Sequence, residues 1–83
     1  MGLHDNNEIK ICLNTADKIK DFCNTVKNFE SDIDLYTLRG MVDAKSILGI
    51  HTLDLSQDTY VKIISDSEAE RVRFAKEIAR FKE

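Results

Sequence analysis

Ser46 heads a short apolar stretch, Ser46-Ile47-Leu48-Gly49-Ile50, with Lys45 just before it. A serine in that place serves as a helix N-cap. A phosphate added there would meet free N–H groups and the positive end of the helix dipole, and Lys45 would add nearby charge. Capping alone also accounts for the residue, so switch and plain cap stand side by side. Other reactive types are scattered. His4 lies in a polar leader, and His51 follows the short helix, where the dipole disfavours an added phosphate. Cys12 and Cys23 are far apart in sequence, with no histidine at ligand spacing, so no metal site is expected. Cys23 reads as helix core and Cys12 as outward-facing. The pairs Asp32/Asp34 and Glu68/Glu70 read as solvated charge rather than a catalytic dyad. Gly2, Gly40 and Gly49 are isolated, so there is no glycine-rich phosphate loop, and no Ser-His-Asp arrangement is evident. Neither an enzyme nor a cofactor is expected.

The elements that must position these residues follow from periodicity. Residues 1–7 are polar and are expected to be loosely ordered. From Glu8, Ile9, Ile11 and Leu13 alternate with Lys10 and Cys12, a half-buried strand. Asn14 or Thr15 offers an N-cap, and Ala16, Ile19, Phe22, Cys23 and Val26 then recur at three and four residues, predicting a helix to about Asn28. Asp32 to Thr37 alternates again. Leu38-Arg39-Gly40 makes a tight connection in which Gly40 is free to take positive φ, and Met41 to Ala44 completes a hairpin. The Ser46 helix is weak on its own, because it contains glycine and β-branched residues. Thr59 to Ile64 is a fourth strand. Ser67 and Glu70 have capping-box spacing for a last helix to about Phe81, with Val72, Phe74, Ala75, Ile78 and Phe81 expected inside. The order is β-α-β-β-α-β-α. It implies a two-layer α/β (α+β) sandwich, a four-stranded sheet with helices over one face.

Eighty-three residues without a linker-like stretch make a single domain over 1–83. Apolar residues make up 42% and charged residues 33%, a globular rather than a disordered composition. The formal net charge of -3, with basic residues dispersed among acids, argues against binding to nucleic acid or an anionic membrane. No apolar run has the length of a membrane span, and Met1 to Asn7 lacks the plan of a signal peptide. Two cysteines are too few for a secreted disulfide scaffold, so a reducing cytoplasm is expected. A monomer is expected as well.

Asp43-Ala44-Lys45-Ser46-Ile47-Leu48-Gly49-Ile50, followed by Thr52-Leu53-Asp54-Leu55, resembles the regulatory-serine region of HPr, the histidine-containing phosphocarrier of the bacterial sugar phosphotransferase system. Lys27-Asn28-Phe29 and the element order resemble that family too, so the likeness runs along nearly the whole chain from Glu8. It implies an open-faced β-sandwich with an antiparallel four-stranded sheet and three helices on one face. HPr proteins carry phosphate on a histidine at the start of the first helix, within a Gly-Leu-His-x-Arg-Pro-like motif. Counting back from Phe22, that histidine falls on Thr15, the arginine on Asp17 and the proline on Lys18; no histidine lies between Asp5 and Ile50 in any case. Threonine has no imidazole nitrogen to form a labile phosphoramidate. Asp17 would put negative charge where a phosphate should be welcomed.

The resemblance further implies that Ser46 matches the serine phosphorylated by an ATP-dependent kinase. It also implies that Ile47 and Leu48 form, with Thr15, Lys20 and His51, a patch for partner proteins such as Enzyme I, HPr kinase or other phosphotransferase-system proteins. The first reading is a regulatory or interaction module that does not relay phosphate. A divergent phosphocarrier using another acceptor, and an α/β scaffold unrelated to sugar transport, are the alternatives.

Overall fold

In the computed structural model, which describes residues 8–82, the alternating segments are strands and the three-and-four segments are helices: β1 (Glu8–Ile11), α1 (Ala16–Val26), β2 (Asp32–Thr37), β3 (Gly40–Asp43), α2 (Ile47–Ile50), β4 (Thr59–Ile64) and α3 (Glu68–Ile78), the last running into a 3₁₀ turn at Ala79–Phe81. The strands form one antiparallel sheet in the order β1-β4-β2-β3. Each helical crossover therefore skips a strand, which places β4 between β1 and β2. The open-faced α+β sandwich expected from the sequence is the fold observed. The leader, His4 included, lies outside the described residues.

Period-two patterning makes the layering. Ile33, Leu35, Val61 and Ile63 on the two central strands are fully buried on the helix side, joined there by Ile11 and Leu13. Across the gap lie Phe22, Cys23 and Val26 of α1 and Phe74, Ile78 and Phe81 at the C-terminal end. Edge-to-face pairs Phe22–Phe81 (5.5 Å) and Phe29–Phe74 (5.4 Å) knit the helices together. Polar clamps finish the joint. The Thr25 hydroxyl donates to the Asp21 carbonyl (2.9 Å) and accepts from Arg80 (2.7 Å), whose guanidinium also reaches the Asp21 carboxylate (3.4 Å).

Four local expectations are corrected. Val72 and Ala75 are exposed on α3, because Phe74, Ile78 and Phe81 form the inward stripe and Val72 projects from the opposite side. Two aromatic rings bury more apolar surface than the valine would. Ala16 is likewise exposed at the first turn of α1. The capping box of α3 is half formed. Ser67 Oγ accepts from the Glu70 amide (3.2 Å), but the Glu70 carboxylate turns away to accept from the Ser31 and Ser65 hydroxyls (2.5 and 2.6 Å), tying α3 to β2 and β4. No glycine among the described residues has positive φ. At the hairpin, Thr37 Oγ1 accepts from the Arg39 amide (3.2 Å), and Gly40 lies against Leu53.

Candidate docking and modification site

The site expected from the sequence lies on two helix starts. At the first, Leu13 is buried and Asn14 exposed, so the chain turns at Thr15, which has extended backbone angles (φ -136°, ψ 156°). Thr15, rather than Asn14, is the cap: its Oγ1 accepts from the Lys18 amide (3.1 Å), and its carbonyl accepts the first helical bond from Ile19 (3.1 Å). Asp17 stands in the first turn, where its carboxylate complements the helix dipole. Thr15, Asp17 and Lys20 are all exposed.

At the second start, Ser46 is also extended (φ -102°, ψ 106°), and its Oγ accepts from the Gly49 amide (3.1 Å). A helix of four residues cannot hold itself. Ala44 and Ile50, both fully buried, anchor its two ends in the core. The Ser46 amide donates to the Asp43 carbonyl (3.0 Å) and the Lys45 amide to the Asp43 carboxylate (2.9 Å). After the helix, Thr52 donates its hydroxyl to the Gly49 carbonyl (2.6 Å). Gly49 is there for space: a Cβ would stand 3.3 Å from both Ser46 Oγ and Val42 Cβ. The helix packs on β3 and α1, leaving Ile47 (45%) and Leu48 (79%) exposed, with His51 exposed at its end.

Lys45 does something the sequence did not signal. Its ammonium donates to the Phe29 carbonyl (2.6 Å), beyond the end of α1. There Arg73 also donates to the Asn28 carbonyl (3.3 Å) and covers the Phe29 ring (4.2 Å). Two cations from distant parts of the chain thus satisfy carbonyls in the turn that follows α1. The Lys45 ammonium, expected to add charge near Ser46, is thus also anchored to the turn after α1.

Thr15 and Lys20 on α1, and Ser46, Ile47, Leu48 and His51 on α2, are therefore carried by two helices in contact. Ser46 is half-buried; the others are exposed. Among the described residues, no group of three or more His, Cys, Asp or Glu side chains is placed to hold a metal. Cys12 is half-exposed beside β1. Cys23 is buried in α1, and burial pushes its thiol pKa up, partly opposed by Lys27.

The fold is thus an open-faced sandwich in which a short helix with exposed apolar residues packs against the first helix. Residues 14–82 match the family described as the PTS HPr component phosphorylation site. The chain belongs to the HPr family of phosphotransferase-system phosphocarriers, whose members are carrier proteins rather than enzymes. Among solved structures it is similar to HPr-C-His from Thermoanaerobacter tengcongensis (28% identity, TM-score 0.67), covering 88% of each chain. It is also similar in fold to a phosphocarrier protein HPr from Bacillus anthracis str. Ames (20% identity, TM-score 0.66), covering 90% of this chain and 93% of that one. No curated protein sequence gives a match. Among the described residues, no helix is long and apolar enough to cross a membrane.

Proposed function

We propose that this HPr-family chain is a cytoplasmic, monomeric regulatory or interaction module of the phosphotransferase system that does not relay phosphate. The observation that carries the reading is the first helix start. No histidine lies between Asp5 and Ile50, and Thr15, which the resemblance puts at the place of the family's histidine, is spent as a helix cap beside Asp17. A hydroxyl accepts phosphate only as a stable ester, so the reversible transfer that phosphoramidate chemistry permits is absent. The exposed Ile47 and Leu48, with Thr15, Lys20 and His51 around them, form the docking face for Enzyme I, HPr kinase or another protein of the system. Ser46 is the regulatory position: a phosphate there would replace the hydroxyl at the cap and put charge beside the apolar pair.

Intact mass after two incubations tests this. With phosphoenolpyruvate and Enzyme I, no acid-labile phosphate is expected; its appearance would overturn the non-relaying role and favour a divergent carrier. With ATP and an HPr kinase, one acid-stable phosphate is expected, lost in Ser46→Ala. No modification together with no binding to either enzyme would instead leave a scaffold without a link to the system.

A further inference from the structure

The two edges of the sheet are treated differently. At the end of β1, Ile11 bridges Lys82, and the Cys12 amide donates to the Phe81 carbonyl (2.8 Å), so the C-terminal turn pairs with the last residues of that edge. Nothing comparable covers β3 among the described residues. Its sequence, Gly-Met-Val-Asp, has neither proline nor lysine, two residues that commonly keep other strands away from an edge.

The ladder says which groups are left. Ala44 donates its amide to the Ile33 carbonyl (2.8 Å), so in the β2–β3 register Leu35–Val42 and Thr37–Gly40 are the other hydrogen-bonded pairs. Alternation turns the N–H and C=O of Met41 and the N–H of Asp43 off the edge; the Asp43 carbonyl is taken by Ser46 (3.0 Å). Side chains of the same two residues face the helix-free side of the sheet. There Met41 (66% exposed) continues a cross-strand row formed by Tyr60 and Tyr36, whose rings stack at 5.9 Å. Leu38, 96% exposed at the hairpin tip, borders the same open groove of about 510 Å³. The next row is Lys62, Asp34 and Asp43, so at the β3 end two carboxylates stand directly opposite each other, an arrangement that destabilises a strand pair. Asp32, Asp34, Met41 and Asp43 line a hollow of about 320 Å³ against this edge.

We propose that the free edge of β3 is a docking site for an extended basic segment of a partner protein, added to the sheet as a fifth strand. Cross-strand pairing sets the chemistry of the occupant. The residue opposite Met41 is apolar and extends the tyrosine row, and the residue two positions away, opposite Asp43, is lysine or arginine. The cation relieves the Asp34–Asp43 juxtaposition, and the backbone of the occupant takes up the outward groups of Met41 and Asp43. This site uses the opposite side of the sheet from α1 and α2, and it stands whether or not the protein relays phosphate.

Amide-resolved NMR titration of the full chain with a capped heptapeptide, Thr-Lys-Thr-Ile-Thr-Lys-Thr, tests it, since the palindrome reads alike in parallel and antiparallel pairing. Shifts centred on Met41, Val42 and Asp43 are expected. The peptide with glutamate in place of lysine should bind about tenfold more weakly. Met41→Pro removes an N–H the β2 ladder does not use and should abolish binding. Asp43→Asn should weaken it severalfold, which keeps the test decisive if the proline variant does not fold. No shifts at Met41 to Asp43 with millimolar peptide, or equal binding of the glutamate peptide, would overturn the proposal. Concentration-dependent shifts at this edge without peptide would overturn it as well, by making a second copy the occupant.

Discussion

At the start of α1 and at the start of α2, a hydroxyl oxygen accepts from the backbone amide three residues on: Thr15 from Lys18 and Ser46 from Gly49. The local device is the same, but the surroundings differ. α1 has eleven residues with Phe22, Cys23 and Val26 in the core, so it keeps its place whatever stands at its cap, and that cap is exposed beside an acid. α2 has four residues and owes its position to its flanks: Ala44 and Ile50 buried at its ends, Gly49 fitted under Ser46 and Val42, and Lys45 bonded to Phe29. A capped helix start on a self-sufficient helix can change residues without changing the fold. One on a dependent helix is bound to everything that holds it. That difference fits the proposed reading, in which the Lys-Ser-Ile-Leu-Gly segment resembles the family while Thr15 and Asp17 stand where the family's histidine and arginine are expected.

The largest expected effect comes from reversing the change at the replaceable end. Thr15→His combined with Asp17→Arg supplies an imidazole and a cation at a helix N-terminus. Phosphoenolpyruvate with Enzyme I should then give an acid-labile phosphate by intact mass, where none is expected from the parent chain. Loss of the Thr15 cap costs about 1 kcal/mol, which α1 can absorb through its core contacts. A folded double variant that stays unphosphorylated would show that the docking face, and not only the acceptor, has diverged.

At the dependent end, Lys45→Met keeps the aliphatic stem and deletes the ammonium. The Phe29 carbonyl then lacks a charge-assisted partner, a loss of about 1–2 kcal/mol once the partial exposure of the pair is allowed for. For a domain of this size each kcal/mol lowers Tm by roughly 4–8 °C. Hydrogen exchange should quicken at the Gly49 and Ile50 amides more than in the middle of α1, because α2 loses one of its anchors. Uniform quickening across both helices would erase the distinction drawn between them.

How far the sequence could be read follows the same division. Elements with a strong period were legible: β2 and β4 run from Asp32 to Thr37 and from Thr59 to Ile64 as alternation implied, and Ser46 caps α2. Choices among competing apolar residues were not. Val72 and Phe74 both suit a helix interior, and only the opposing layer, where Phe29 meets Phe74 edge-on, decides between them. Long-range polar contacts were hidden as well. Nothing local to Lys45 announces Phe29 sixteen residues away, and nothing in the spacing of Ser67 and Glu70 shows that Ser31 will take the carboxylate. Thr15, Lys20, Ile47, Leu48 and His51 were named from the family resemblance, and all five are exposed.

A third helix start supplies the finest test, because α3 adds a charged acceptor to the hydroxyl cap. The hydroxyls of Ser31 and Ser65, with backbone amides of Ser31 and Glu30, hold the Glu70 carboxyl below its ordinary value of 4.5, against a smaller opposing effect of desolvation. A depressed folded value means that Glu70 stabilises the fold fully above that ordinary value and loses its contribution as pH falls through the lower, folded one. Urea midpoints should therefore fall on acidification below pH 4.5, and Glu70→Gln should flatten that fall while lowering the midpoint at neutral pH. Some acid sensitivity will remain in the variant, since the Ser56 hydroxyl and amide hold Asp54 low in the same direction. Thr15 and Ser46 offer only neutral oxygens to their helices, so Thr15→Ala and Ser46→Ala should shift the midpoint equally at neutral and acid pH. An acid-dependent shift in either would mean that its helix start, like that of α3, is held by charge.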